Sequence, residues 1–296
     1  MSQATNIEGI WLPLITPFKD GEVDLSSTRK LVRHYAEKGI SGLILAATTG
    51  EGQLISNQEL EILVETCVHE LADIGADIPT FVSVSGNNPK KVIGELEVLQ
   101  TWPIDGYLLN APHYMRPSQE GLIAYFSLVA GTVDKPIILY NIPYRTGVNI
   151  NNDTMLALSR VKNIVGVKDC GANAAQSYEL MRTAPEGFSV LTGEDPFFYN
   201  AIVHGAPGAI VTGAHILLDT QIEIISNLKN GLQKEALSKW NTVAHIPQLL
   251  FAEPSPAPLK YWLTKQGLIE SAEVRLPLLP ISDALKLKID TEIDQS

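Results

Sequence analysis

The sequence predicts an α/β fold, a closed (β/α)8 TIM barrel that carries a C-terminal helical extension. Three observations predict it. Eight short runs rich in Val, Ile and Leu recur along the chain, continuously apolar rather than alternating, which suits parallel strands buried on both faces. Segments of helical period lie between them. The runs begin roughly 20–38 residues apart, about the size of one βα unit, and eight such units without a long linker favour a closed barrel over an open sheet. The chain of 296 residues exceeds the roughly 250 that such a barrel needs, so a further segment is expected.

The predicted strands cover residues 9–17, 42–48, 80–85, 106–110, 136–141, 164–168, 188–192 and 208–212. In the helix predicted over 57–71, Leu60, Leu63, Val64, Cys67, Val68 and Leu71 share one face, with Glu59, Glu61, Glu65 and Glu70 elsewhere. Start signals are frequent: Asp24 before Leu25, Ser56 with Glu59 three residues on, and Pro117 and Ser118 before Glu120. The eighth barrel helix is read over 217–228. Beyond it, 232–250, 258–266 and 282–289 read as helices separated by Pro254, Pro256, Pro258, Pro277 and Pro280. The division is therefore a barrel over 1–230 and an extension over 231–296 packed on it.

Composition excludes several roles. Hydrophobic residues make up 45%, enough for a large core, and the net charge of −11 repels phosphate backbones and anionic lipid. No nucleic-acid or membrane partner is expected. Cys67 and Cys170 make no disulfide framework and read as small buried hydrophobes. The N-terminal segment lacks a basic region, and Pro13 and Pro17 break its apolar run, so it is not read as a signal peptide. No apolar stretch approaches the roughly 18 residues of a membrane span. The expectation is a cytoplasmic protein.

In such barrels the chemistry sits at the C-terminal ends of the strands. Lys168 closes the run Ile164-Val165-Gly166-Val167, where desolvating a charge is expensive and the amine's pKa is pushed down. A neutral amine is what attack on a ketone requires. The alternatives are a lysine that snorkels to the barrel mouth or pairs with a carboxylate. Tyr140 ends the preceding strand and stands beside Lys168, as a proton shuttle or as a core aromatic. Thr48 and Thr49 precede Gly50-Glu51-Gly52 at a strand-to-helix turn, which suits either a small carboxylate or a helix cap. Arg145 is the one arginine at a predicted strand end; its planar fork fits a second carboxylate, or a surface ion pair.

Other chemistries lack their motifs. Gly50-x-Gly52 has no third glycine of a dinucleotide fingerprint, and neither a phosphate loop nor a nucleophile elbow is present. The six histidines form no metal-spaced pair, which argues for covalent lysine chemistry over a metal-dependent aldolase.

Four motifs, Thr48-Thr49-Gly50-Glu51, Pro112-x-Tyr114-x-Arg116-Pro117-Ser118-Gln119-Glu120-Gly121, Tyr140-Asn141-Ile142-Pro143-x-Arg145-Thr146-Gly147 and Gly166-Val167-Lys168, resemble the dihydrodipicolinate synthase / N-acetylneuraminate lyase family over nearly the whole chain. The resemblance implies an imine between Lys168 and pyruvate. It implies proton relay by Tyr140 with Thr48 and with Tyr114 from a neighbouring subunit, and a carboxylate held by Thr49. The backbone of Gly193 and Ile210 would complete the pocket. It implies neither cofactor nor metal, and a homotetramer built as a dimer of dimers. Arg145 points to the branch that condenses pyruvate with a carboxylated aldehyde, L-aspartate 4-semialdehyde, in the opening step toward diaminopimelate and lysine. A sugar acid such as N-acetylneuraminate or a 2-keto-3-deoxy acid is the alternative substrate, and a non-catalytic binder of keto acids the alternative class.

The sequence departs from the family pattern at Ala47, His113, Tyr144, Cys170 and Gly171, which concerns the acceptor side more than the imine. In lysine-inhibited relatives an effector pocket uses positions that align here with Asn57, Leu60, Asn87, Lys91 and His113. Only the asparagine is kept, and Lys91 sets a cation where the effector's ammonium would sit. The resemblance therefore implies weak or absent inhibition by free lysine.

Overall fold

The computed structural model describes residues 7–295. Eight parallel strands close into a barrel: β1 (Gly9–Pro13), β2 (Gly42–Leu45), β3 (Thr80–Val84), β4 (Gly106–Asn110), β5 (Ile137–Asn141), β6 (Ile164–Asp169), β7 (Ser189–Thr192) and β8 (Gly208–Ala209). Each pairs with its sequence neighbours, and β8 returns to β1 through Gly9↔Gly208. The intervening helices are α1 (Leu25–Glu37), α2 (Asn57–Asp73), α3 (Pro89–Leu99), α4 (Gln119–Ala130), α5 (Asn152–Leu158), α6 (Ala174–Thr183), α7 (Phe198–Val203) and α8 (Ala214–Lys229). After them come α9 (Gln233–Val243), α10 (Ile246–Leu250), α11 (Ala257–Lys265) and α12 (Asp283–Gln295). No described helix is long and apolar enough to cross a membrane.

The start signals act as expected. Asp24 accepts from the backbone N–H groups of Ser26 and Ser27, Ser56 and Glu59 form a reciprocal capping box, and Ser118 caps α4. Two layers of apolar residues result. One lies between strands and helices; the other fills the barrel interior with Trp11, Ile44, Phe81, Leu108, Ile138 and Leu191. Trp11 meets Phe81 edge to face at 4.9 Å. Gly42 makes this possible, since a Cβ there would lie 2.3 Å from the Trp11 ring.

Three elements differ from expectation. The first run, read to residue 17, leaves the barrel at Pro13. Phe18–Lys19 and Glu22–Val23 then form a small hairpin, turned by Asp20 and Gly21 at positive φ, an Asp-Gly signal the sequence reading passed over. The last strand, read to residue 212, ends at Ala209, because the Asp195 carboxylate takes the N–H groups of Thr212 and Gly213 out of the ladder. The helix read over 232–250 divides after Val243, and Pro247 opens the second piece. A proline inside a helix has no N–H to donate and clashes with the preceding turn, so it is tolerated only there.

Candidate active site

The C-terminal rim of the strands opens into a cavity of ≈ 330 Å³. Tyr140 and Lys168 are register partners on β5 and β6, so a hydrogen-bonded ladder sets their spacing. Lys168 is 4% exposed, Tyr140 is 5% exposed, and the Lys168 Nζ stands 4.4 Å from the centre of the Tyr140 ring. Burial lowers the Lys168 pKa below that of a free lysine and raises the Tyr140 phenol well above its ordinary value. The amine is thus biased toward its neutral, nucleophilic form, and the phenol toward keeping its proton.

The threonine turn stands opposite. Ala46 and Glu51 both adopt positive φ, and a Cβ on Gly52 would fall 1.8 Å from the Ala46 carbonyl oxygen, so the backbone here folds tightly on itself. Thr48 lines the cavity together with Tyr140. Thr49 is turned inward, its Oγ1 3.0 Å from that of Thr212. Behind Thr212, Asp195 holds the loop after β8, and His215 accepts from the Ile15 N–H and bonds the Thr212 carbonyl. Burial drives the His215 pKa down to about 4, and a neutral ring with its proton on Nδ1 satisfies both bonds.

Glu51 anchors the turn to the C-terminal segment. Its carboxylate pairs with Lys260 on α11 at 2.5 Å, the two side chains 1% and 0% exposed, and accepts the Arg275 N–H. Lys260 also donates to the Glu273 carbonyl, and Arg275 pairs with Glu59 on α2. The Phe18 ring of the hairpin lies under both cations, 4.1 Å from the Lys260 Nζ and 4.2 Å from the Arg275 guanidinium carbon.

Arg145 sits in a one-turn helix, Pro143–Thr146, and lines the cavity with Asn110, His113, Ser83 and Ser85. Ser255, Pro277 and Leu278 reach the same cavity from the C-terminal segment. The Gly193 N–H is committed to the Asp169 carbonyl and the Ile210 N–H to that of Thr192. Tyr114, at positive φ and 87% exposed, is absent from the walls of its own cavity. Of the aligned effector positions, Asn57, Leu60 and Lys91 line a separate groove between α2 and α3 with Glu95. His113 belongs to the active-site cavity instead, and Asn87 lines neither.

Cys170 is buried, as read from the sequence. It follows the end of β6, two residues beyond Lys168, and a Cβ on Gly193 would lie 2.3 Å from its Sγ, so Gly193 leaves room for the thiol. Glu194 and Asp195 directly follow Gly193, so their strand-end position was the available signal. The sequence contains no comparable signal for Ser83, Ser255 or Leu278.

A model of the dihydrodipicolinate synthetase family matches residues 6–296. The chain belongs to the dihydrodipicolinate synthetase family. It is 45% identical over 284 residues to 4-hydroxy-tetrahydrodipicolinate synthase 2 of Clostridium acetobutylicum, covering 96% of this chain and 98% of that one. The solved dihydrodipicolinate synthase of Thermotoga maritima superposes with a TM-score of 0.92 at 28% identity, covering 98% of each chain. The chloride-inhibited dihydrodipicolinate synthase of Acinetobacter baumannii, complexed with pyruvate, gives 0.91 at 30% identity, with 97% of this chain and 98% of that one covered.

Proposed function

We propose that this protein is a Schiff-base lyase that condenses pyruvate with L-aspartate 4-semialdehyde to 4-hydroxy-tetrahydrodipicolinate, in diaminopimelate and lysine biosynthesis. The observation that carries the reading is one buried amine, Lys168, register-paired with the phenol of Tyr140 at the barrel mouth. The family and the names of its relatives favour the semialdehyde over a sugar acid.

In this mechanism the neutral Lys168 attacks the keto carbon of pyruvate. Tyr140, with Thr48 in the same cavity wall, moves protons as the carbinolamine loses water. Thr49 and its turn hold the pyruvate carboxylate. The imine withdraws electrons and acidifies the adjacent methyl group, so the enamine forms and attacks the aldehyde; the covalent nitrogen is the electron sink, and the cycle needs neither metal nor organic cofactor. Arg145 receives the carboxylate of the aldehyde. The exposure of Tyr114 supports its service to a neighbouring copy, within a cytoplasmic homotetramer. The Lys91 ammonium lies in the groove between α2 and α3 with the Glu95 carboxylate and opposes the entry of a second cation, which supports weak inhibition by lysine.

Borohydride reduction with pyruvate, followed by peptide mass mapping, tests the reading. The expected adduct is on Lys168 and absent from Lys168→Ala. An adduct on another lysine, or turnover by the alanine variant, overturns it.

A further inference from the structure

Thr49 does not hold its place in the turn alone. Its Oγ1 lies 3.0 Å from that of Thr212, and both residues are buried. Thr212 has left the β ladder, and side chains hold its backbone instead. The Asp195 carboxylate accepts from the Thr212 N–H at 3.1 Å and from the Gly213 N–H. The His215 Nδ1 donates to the Thr212 carbonyl at 2.9 Å. Gly213 lets Asp195 approach, since a Cβ there would lie 2.4 Å from the Asp195 Oδ1.

These contacts close on themselves. The His215 Nε2 accepts from the Ile15 N–H at 3.2 Å, and the next residue, Thr16, donates its hydroxyl to the Gly50 carbonyl at 2.7 Å. Gly50 directly follows Thr49, which returns the circuit to its start. A Cβ on Gly50 would lie 2.8 Å from the Leu14 carbonyl oxygen, so the turn sits tightly against the segment after β1. β8, β1 and β2 are neighbours in the barrel, and the circuit joins the segments that follow them. Tyr35 on α1 fastens it from outside by donating to the His215 carbonyl at 2.8 Å. Each bond supports the next, because breaking one leaves a buried polar group unpaired.

We propose that Thr212 is a positioning residue for pyruvate: its hydroxyl donates to Thr49, which leaves the Thr49 proton for the substrate carboxylate, and Asp195 and His215 hold Thr212 in place for that task. This rests on the reading above, in which Lys168 forms the imine and Thr49 holds the carboxylate. A hydroxyl carries one proton and turns freely about its C–O bond. With Thr212 as its donor, Thr49 spends none of its own donor capacity inside the protein, and the proton is aimed before pyruvate arrives. Without that donor, pyruvate has to order the Thr49 hydroxyl as it binds. The contribution falls on capture of the keto acid, before the enamine meets the aldehyde.

The test is borohydride trapping on Lys168 across a range of pyruvate concentrations, with steady-state kinetics on both substrates. Thr212→Val keeps the shape and removes the hydroxyl, and Thr212→Ala removes it without a branched side chain. Both raise the half-saturating pyruvate concentration by about five-fold or more, while maximal trapping and kcat/KM for the semialdehyde stay within about two-fold of wild type. Thr212→Ser keeps the hydroxyl and returns half-saturation to within about two-fold, which a packing role for the threonine methyl group does not predict. Asp195→Asn turns a donor toward one of the two backbone N–H groups. Alone it raises half-saturation by about five-fold, but added to Thr212→Val it raises it by less than about two-fold, because it acts through that residue. Wild type without a Lys168 adduct overturns the imine reading itself. With that adduct present, three results overturn the positioning role: unchanged half-saturation in Thr212→Val and Thr212→Ala, a rise in Thr212→Ser equal to theirs, or a full further rise when Asp195→Asn is added to Thr212→Val.

Discussion

Two regions are built by different means: a floor, the register-paired Lys168 and Tyr140, of which Tyr140 reaches the cavity, and the loop-built wall of that cavity. Lys168 and Tyr140 stand on adjacent strands in fixed register, 4% and 5% exposed. The wall includes Arg145 on a one-turn helix, and Ser255, Pro277 and Leu278 from beyond the barrel. A β ladder fixes side chains to the small tolerance that covalent chemistry demands, whereas loops vary at little cost to the core. Of the departures from the family pattern, Ala47 and His113 line the cavity, Tyr144 is exposed beside Arg145, and Cys170 is buried two residues beyond Lys168.

The sharpest way to break this comparison is at the floor. Lys168→Ala is expected to lower turnover by about a thousand-fold or more, since no other group supplies the electron sink. Circular dichroism should be unchanged, as the substitution removes a buried charge-prone group. Next is the tie between the two regions. Lys260→Met leaves Glu51 buried without its cation and should cost about 3–5 kcal/mol of stability, read from the urea midpoint at constant slope. Adding Glu51→Gln should recover part of the loss; no recovery would mean that the pair does not act as a unit. On the wall, Arg145→Ala should lower kcat/KM for the semialdehyde by about 10–150-fold, the worth of a charged hydrogen bond. Pyruvate trapping on Lys168 should be unaffected, and a parallel loss of trapping would show that floor and wall are not separable. The smallest effect is expected from free lysine. Half-inhibition at sub-millimolar concentration would show that the groove between α2 and α3 recognises a cation despite Lys91.

The barrel was legible because its strands are buried on both faces, and such strands write themselves as continuous apolar runs. The strand interruptions were less so. The Asp-Gly hairpin after Pro17 was visible in principle, but the shortening of β8 depends on Asp195, a residue in a different βα unit whose carboxylate captures the N–H groups of Thr212 and Gly213. Among site residues, Lys168, Tyr140, Thr48 and Arg145 were legible as polar groups that end apolar runs. Cys170 was legible as a small buried hydrophobe, and it packs in the apolar barrel interior.

By itself, the sequence determined the order of strands and helices, the rim at which polar residues gather, and the amine whose placement in an apolar run marks it for covalent work. These follow from local pattern, because burial and periodicity are set within each segment. Only the tertiary structure decided that Lys260 and Arg275, more than two hundred residues from Glu51 and Glu59, brace the threonine turn, and that Ser255 and Leu278 line the cavity. Closing the barrel brings its last segments against its first, and contacts made by closure have no signature in either segment alone.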